Sequence, residues 1–466
     1  MRSLRVTVGI FVLAGAVAMA PGVGTVTASA AAAETQFAGT LPDGTTWIAD
    51  LPAQWNGTLL LYSHGFGNLT AADAPDPATA TALLARGYAL AGSSYDPNGS
   101  LWALDTAVSD QFKTLRAVES GVLPGRPAQV LAFGTSMGGL VSALEAQDGA
   151  GRIDGALTTC GIVAGAINLN NYQLAGEYAL AQLLLPGQPV QLTGFADANA
   201  ALATAGTLAQ AAAQAQQTPA GQARLALAMA FLNVPPWATG MAAPAPTSDP
   251  AAQEDAQYQV EFAGSFTALD FIEFARPSID QAAGGSATWT RGDDFTRLLR
   301  RSPYRREVTA LYRAAGTSLR GDLAALTANA DISPDRSAVR SLERTSVPFG
   351  YLAVPELDIH TISDQLVPVQ QENYYRHRVD AAGSGDLLRQ AYVASIGHCD
   401  FSSAELVAAV LAISHRVSSG HWGAVAEPGT LNAVAGGLDL GPARFIRYDP
   451  GRLTGVSRRP GPRRPF

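Results

Sequence analysis

Ala128-Gln129-Val130-Leu131-Ala132-Phe133-Gly134-Thr135-Ser136-Met137-Gly138-Gly139 is the stretch on which the fold turns. Its first half, Ala128 to Phe133, is mostly apolar and has the length of a buried strand. Its second half sets glycines two residues to either side of Ser136. A sharp strand-to-helix turn demands them, because the two backbones nearly touch there and leave no room for side chains. Such a turn thrusts a serine hydroxyl clear of its surroundings, where a neighbouring base can take its proton. Leu140 to Gln147 then continues as a helix without proline or glycine, and Gly155 to Cys160 reads as the next strand. Strand, turn, helix and strand in that order make a parallel crossover unit.

The same grammar precedes the serine. Thr58 to Tyr62 is a buried strand running into Ser63-His64-Gly65-Phe66-Gly67, and Tyr88 to Gly92 is another that ends in a turn. A His-Gly-x segment after a central strand is suited to present a backbone N–H to an oxyanion, the second donor being the residue after the nucleophile. These donors are expected from Phe66 and Met137.

A base and an acid are required to activate the hydroxyl. Of six histidines, His398 stands in Ser395-Ile396-Gly397-His398-Cys399-Asp400-Phe401, just after the apolar stretch Ala391 to Ala394. That places it on a loop at the C-terminal end of a strand, where open parallel sheets bind ligands. One strand earlier, Leu357 to Thr361 leads into Ile362-Ser363-Asp364-Gln365-Leu366-Val367-Pro368, which makes Asp364 the expected orienting acid, with Asp358 and Glu356 as nearby rivals. His360 lies within that strand and is expected to be a satisfied core or supporting group. His377, His415 and His421 read as structural or solvated.

With these motifs in place the chain resembles an α/β-hydrolase over roughly residues 38 to 165 and 345 to 420. The resemblance implies an eight-stranded, mostly parallel sheet flanked by helices, and acyl transfer to water as the chemistry. Similar chains include esterases, lipases, depolymerases and some peptidases. The expectation is a serine hydrolase of carboxylic esters working through an acyl-enzyme with Ser136, Asp364 and His398. An exported peptidase or amidase on the same fold, and a noncatalytic binding protein, stand as the alternatives. A peptidase would want a cap acid to hold an amine, for which Glu254, Asp255 and Glu261 are candidates. No metal-spaced cluster stands out, and the triad chemistry calls for no cofactor.

The rest of the chain divides around this core. Residues 1–33, with Arg2 and Arg5, the apolar run Val6 to Ala20 and an Ala-rich exit, describe a secretory signal peptide cleaved between Ala30 and Ala33. Residues 34–165 and 345–425 form the two halves of the core. Residues 166–344, alanine-rich and helical, form a cap insertion whose aromatics, such as Trp237, Phe271 and Phe274, are more often cap core than pocket lining. Residues 426–466 are an extension ending in a basic, proline-rich tail from Arg458. Export gives meaning to the two cysteines: both map to one edge of the sheet, and a Cys160–Cys399 disulfide is expected to pin the histidine loop. Tannase-like and feruloyl-esterase-like hydrolases are similar in strategy, but they tether a cysteine beside the serine, where this chain has Thr135. With 39 acidic against 31 basic residues, the net charge of −8 argues against nucleic acid as a partner. Ester substrates, small or polymeric, are the expected partners.

Overall fold

Strands buried on both faces read as unbroken apolar runs, and the computed structural model buries the central ones almost completely. It describes residues 34–455 apart from 68–69 and 96–100. The expected signal segment and the tail from Arg458 lie outside those residues. The strands are β1 (Thr35–Thr40), β2 (Thr46–Leu51), β3 (Thr58–Ser63), β4 (Ala89–Ser93), β5 (Gln129–Thr135), β6 (Gly155–Thr159), β7 (Glu356–Ser363), β8 (Leu388–Ile396) and β9 (Phe445–Ile446). They form one sheet in the order β1-β2-β4-β3-β5-β6-β7-β8-β9. From β4 to β8 every pairing is parallel, while β1, β2 and β9 pair antiparallel at the edges. The sheet is mostly parallel and flanked by helices as expected. Its ninth strand is the two-residue β9, too short to leave a signal in the sequence.

Alternation along the strands sorts the two helical layers. Leu60 and Tyr62 pack with Leu131, Phe133 and the helix Ser403–Ser419 on one face. Leu59 and Leu61 pack on the other with Phe112 and Leu115 of the helix Ala107–Gly121 and with Ala143 of the helix Met137–Asp148.

Between β6 and β7 the chain leaves the sheet for nine helices, from Ala166–Leu184 to Arg336–Thr345. Several of these gather around a core of their own that includes Tyr178, Leu225, Phe231 and Phe295. One of them, Pro250–Phe262, opens on its proline and is capped by Asp249, whose Oδ1 accepts from the Ala252 N–H at 3.1 Å. A proline there loses no intrahelical hydrogen bond, so one residue type both ends a loop and opens a helix.

Candidate active site

Ser136 sits between β5 and the helix Met137–Asp148 with φ 60° and ψ −119°, a strained backbone for a residue bearing a side chain. The surrounding glycines show what holds it there. A Cβ on Gly134 would lie 1.9 Å from the Gly138 carbonyl oxygen, and one on Gly138 would lie 1.9 Å from that of Ser63. A Cβ on Gly139 would come within 2.7 Å of the Gly161 Cα. The elbow is therefore closed by backbone on three sides, and any larger residue would push it open.

Three side chains from distant parts of the chain meet at this turn. The Ser136 Oγ lies 2.8 Å from His398 Nε2, and His398 Nδ1 lies 2.7 Å from Asp364 Oδ2. The other oxygen of Asp364 accepts from the N–H groups of Leu366 and Val367 at 2.9 and 2.8 Å. Burial by itself works to raise the Asp364 carboxyl, but the charge of His398 and hydrogen bonds from His360 and His398 outweigh it and bring it down to about 2. Asp364 is thus an acceptor at neutral pH, which fixes the proton of a neutral His398 on Nδ1 and leaves Nε2 free to accept from the serine. Asp358 and Glu356, the rival acids, point elsewhere: Glu356 accepts from Thr158 and Tyr375 at 2.7 Å each, and Asp358 is buried within β7.

The expected oxyanion segment lies against the same serine. A Cβ on Gly65 would stand 3.4 Å from the Ser136 Cβ, so Gly65 and Phe66 pass beside the nucleophile's position. Tyr95 holds this segment, stacking on the His64 ring at 4.2 Å and donating from its hydroxyl to the His64 carbonyl at 3.0 Å. Met137 is the first residue of its helix, so its N–H has no intrahelical acceptor and remains available.

Cys160 directly follows β6 and is joined by a disulfide to Cys399, their Cα atoms 5.4 Å apart. The bridge ties the residue after His398, beyond β8, to the end of β6, reaching past β7, which lies between them. A second clamp on the loop was not visible in the sequence. Arg444, just before β9, donates to Ser395 Oγ at 2.8 Å, to Asp400 Oδ2 at 3.0 Å and to Glu405 Oε2 at 2.9 Å. An arginine 46 positions from the histidine carries no local pattern that links the two.

A narrow cavity opens on Ser136 and His398. Phe66, Trp102, Leu169, Phe271, Ile272 and Ile279 are among its apolar walls, and Gln173 adds an amide. Of the aromatics named from sequence, Phe271 lines it, and Phe274 packs edge-on against Phe66 with centroids 6.4 Å apart. Phe231 instead belongs to the helical core, and Phe266 is exposed. Glu254 and Glu261 are buried away from this lining. The walls contributed by Trp102, Ile162 and Leu366 come from loops, whose placement needs the assembled fold.

This strand order, with an elbow serine after β5 and partners on the loops after β7 and β8, is the α/β-hydrolase fold. It is a hydrolase. The o-phthalyl amidase of Xanthobacter agilis is 28% identical over 447 residues, spanning 89% of this chain and 94% of that one. Feruloyl esterase B from Aspergillus oryzae superposes with a TM-score of 0.41 at 15% identity, covering 82% of this chain and 80% of that one. Brefeldin A esterase, a bacterial homologue of human hormone sensitive lipase, gives a TM-score of 0.36 at 14% identity, covering 90% of this chain and 80% of that one. No family model matches the chain.

Proposed function

We propose that this protein is an exported serine hydrolase that cleaves carboxylic esters through an acyl-enzyme. One observation carries the reading: the unbroken series Ser136 Oγ, His398 Nε2, His398 Nδ1 and Asp364 Oδ2, with steps of 2.8 and 2.7 Å. His398 takes the serine proton as Oγ attacks the carbonyl carbon. The tetrahedral oxyanion is held by the N–H groups of Phe66 and Met137. Protonated His398 then gives its proton to the departing alcohol, and water repeats the sequence on the acyl-enzyme.

The helices of residues 166–344 act as a cap. Phe271, Ile272, Ala275 and Ile279 lie along one helix, Ala268–Ala283, and present an apolar wall to the cavity. Its apolar and aromatic walls suit the acyl part of an apolar or aromatic ester. Export is supported by the character of residues 1–33 and by the disulfide, which persists in oxidising compartments. Among the described residues no helix is long and apolar enough to cross a membrane.

An amide-cleaving reading is favoured by a separate observation, the likeness over nearly the whole of its length to an amidase whose name specifies phthalyl amides. The two readings share every step except the leaving group. The test pairs p-nitrophenyl esters with p-nitroanilides of the same benzoyl, phthalyl and acyl-chain acids, in the wild type and in Ser136→Ala. Ester turnover that falls by roughly 10⁴–10⁶ in the variant, with folding retained, is the expected result. Turnover undiminished by Ser136→Ala would overturn the proposed nucleophile. Anilides cleaved faster than their matched esters would replace the ester reading with the amide one.

A further inference from the structure

Behind the proposed triad lies a fully buried histidine that the reaction as described does not use. His360, on β7, has Nδ1 2.8 Å from Glu372 Oε1 and Nε2 2.7 Å from the Val367 carbonyl oxygen. Its Nε2 also lies 3.5 Å from Asp364 Oδ2, the oxygen that His398 engages at 2.7 Å. A carbonyl oxygen only accepts, so Nε2 carries a proton. A carboxylate likewise only accepts, and Glu372 already receives a hydrogen bond on its other oxygen from Gln390 at 2.6 Å. Every partner of the ring is an acceptor, which a neutral imidazole with one N–H cannot satisfy.

We infer that His360 is a permanent buried imidazolium, a positioning residue whose charge holds Asp364 ionised and opposes a second positive charge on His398. The inference rests on the proposed roles of Asp364 and His398. Val367 is gripped from both sides, its N–H by Asp364 Oδ1 and its carbonyl by His360, so the ring also sets the shape of the acid loop.

The surrounding groups agree with that charge. Burial alone would lower the His360 pKa, but the hydrogen bonds and charges of Asp364 and Glu372 more than offset it and take it to about 10. Asp358, on the same side of β7, lies beside Glu372 and Gln390, its carboxyl within 4.8 Å of the Glu372 and His360 polar atoms. Burial first, and then the charge of Glu372, hold its carboxyl well above the usual range, so it stays neutral. Glu356 is raised to about 7 by burial, against hydrogen bonds from Tyr375 and Thr158, which lower it. Tyr375 on the adjoining helix and Tyr392 on β8 are raised and remain neutral. The charged set near the ring is therefore Glu372 and Asp364 against His360, joined by Glu356 as the pH rises through about 7.

Because the two imidazoles share one carboxylate oxygen, their nearer nitrogens lie within about 6 Å of each other. A fixed positive charge at that range disfavours a second one on His398. With an effective dielectric constant near 20 the repulsion corresponds to roughly one to two pH units. Removing the charge should therefore raise the pH at which His398 becomes a free base.

The experiment has two arms. In ¹⁵N-histidine-labelled wild type, NMR should find both His360 nitrogens protonated from pH 5 to 9, a reading that needs no enzymatic activity. In His360→Gln, the acid limb of kcat/KM should move up by about one to two pH units, so that the loss is roughly 10- to 100-fold at pH 6 and much smaller above pH 8. A purely structural role would lower the rate by the same factor at every pH. Should His360→Gln fail to fold, Glu372→Gln removes the negative charge that faces the Nδ1 proton, so that His360 loses its own charge, and should move the limb the same way. An unprotonated His360 nitrogen at pH 7 in the wild type, or an unmoved acid limb in a folded variant, overturns the inference. Retention of the imidazolium signal in a protein whose turnover ignores Ser136→Ala would mark failure of the triad reading alone.

Discussion

Replacing both Cys160 and Cys399 by serine separates the stability supplied by the disulfide from the placement of His398. The bridge joins residues 239 positions apart. In the chain-entropy description a loop of that length constrains the unfolded state by about 5 kcal/mol. For a folded body spanning 34–455 the unfolding entropy is near 0.9 kcal/mol/K, so the double variant should melt about 6 °C lower. Both cysteines have positive φ, 44° and 58°, and serine inherits that strain, so the substitution itself offers no relief. The His398 loop keeps its Arg444 clamp and the hydrogen bond from Thr361 Oγ1 to the Gly397 carbonyl at 2.9 Å. Activity should therefore fall only by roughly 10- to 100-fold, as expected for a small displacement of the base. Thermal denaturation of wild type and variant, with and without reductant, and kcat/KM on one ester would measure both effects. Equal melting temperatures in all four samples, or two alkylatable thiols in the unreduced wild type, would refute the reasoning.

Three further outcomes follow from the geometry. Asp364→Asn should retain the fold but lower kcat by about 10⁴, because an amide N–H facing His398 selects the wrong tautomer; wild-type rates in that variant would dismiss Asp364 as the orienting acid. Gly138→Ala would place a Cβ 1.9 Å from the Ser63 carbonyl oxygen, and since backbone cannot yield cheaply there, soluble yield and melting temperature should both drop, at a cost of about 3 kcal/mol or more. Glu145, buried on the helix Met137–Asp148 with neither oxygen partnered, has its carboxyl held well above the usual range by burial. The folded state keeps a proton that the unfolded chain releases near pH 4 to 5, so this group lowers stability as pH rises above that point. Glu145→Gln should then raise the melting temperature by about 2 °C at pH 8 and leave it nearly unchanged at pH 4, as scanned by differential fluorimetry across pH.

Much of the site was legible because its chemistry is tied to local backbone shape. Gly134, Gly138 and Gly139 are demanded by a turn only a few residues long, so the elbow is written in consecutive letters. Asp364 and His398 were found because a parallel sheet brings together the loops after its strands, and the apolar runs of β7 and β8 announce those loops. Edge strands carried no such signal: β1 and β2 are partly exposed, and β9 is two residues long. The pocket walls were harder to read, since periodicity in the helix Ala268–Ala283 marks a buried face but not what it faces, and Trp102, far from that helix in sequence, is brought to it by a hydrogen bond from its N–H to Ser278 Oγ at 3.0 Å.

Sequence alone thus determined the parallel core, the strained serine, and the histidine and aspartate that meet it, because each depends on patterns shorter than a dozen residues. Tertiary structure decided what those patterns cannot hold. It set the Arg444 clamp, the make-up of the cavity, and the placement of His360 between Glu372 and the Asp364 loop. These depend on distances across the sheet between residues that have no sequence relation, and on burial that makes a single charge felt over several ångströms.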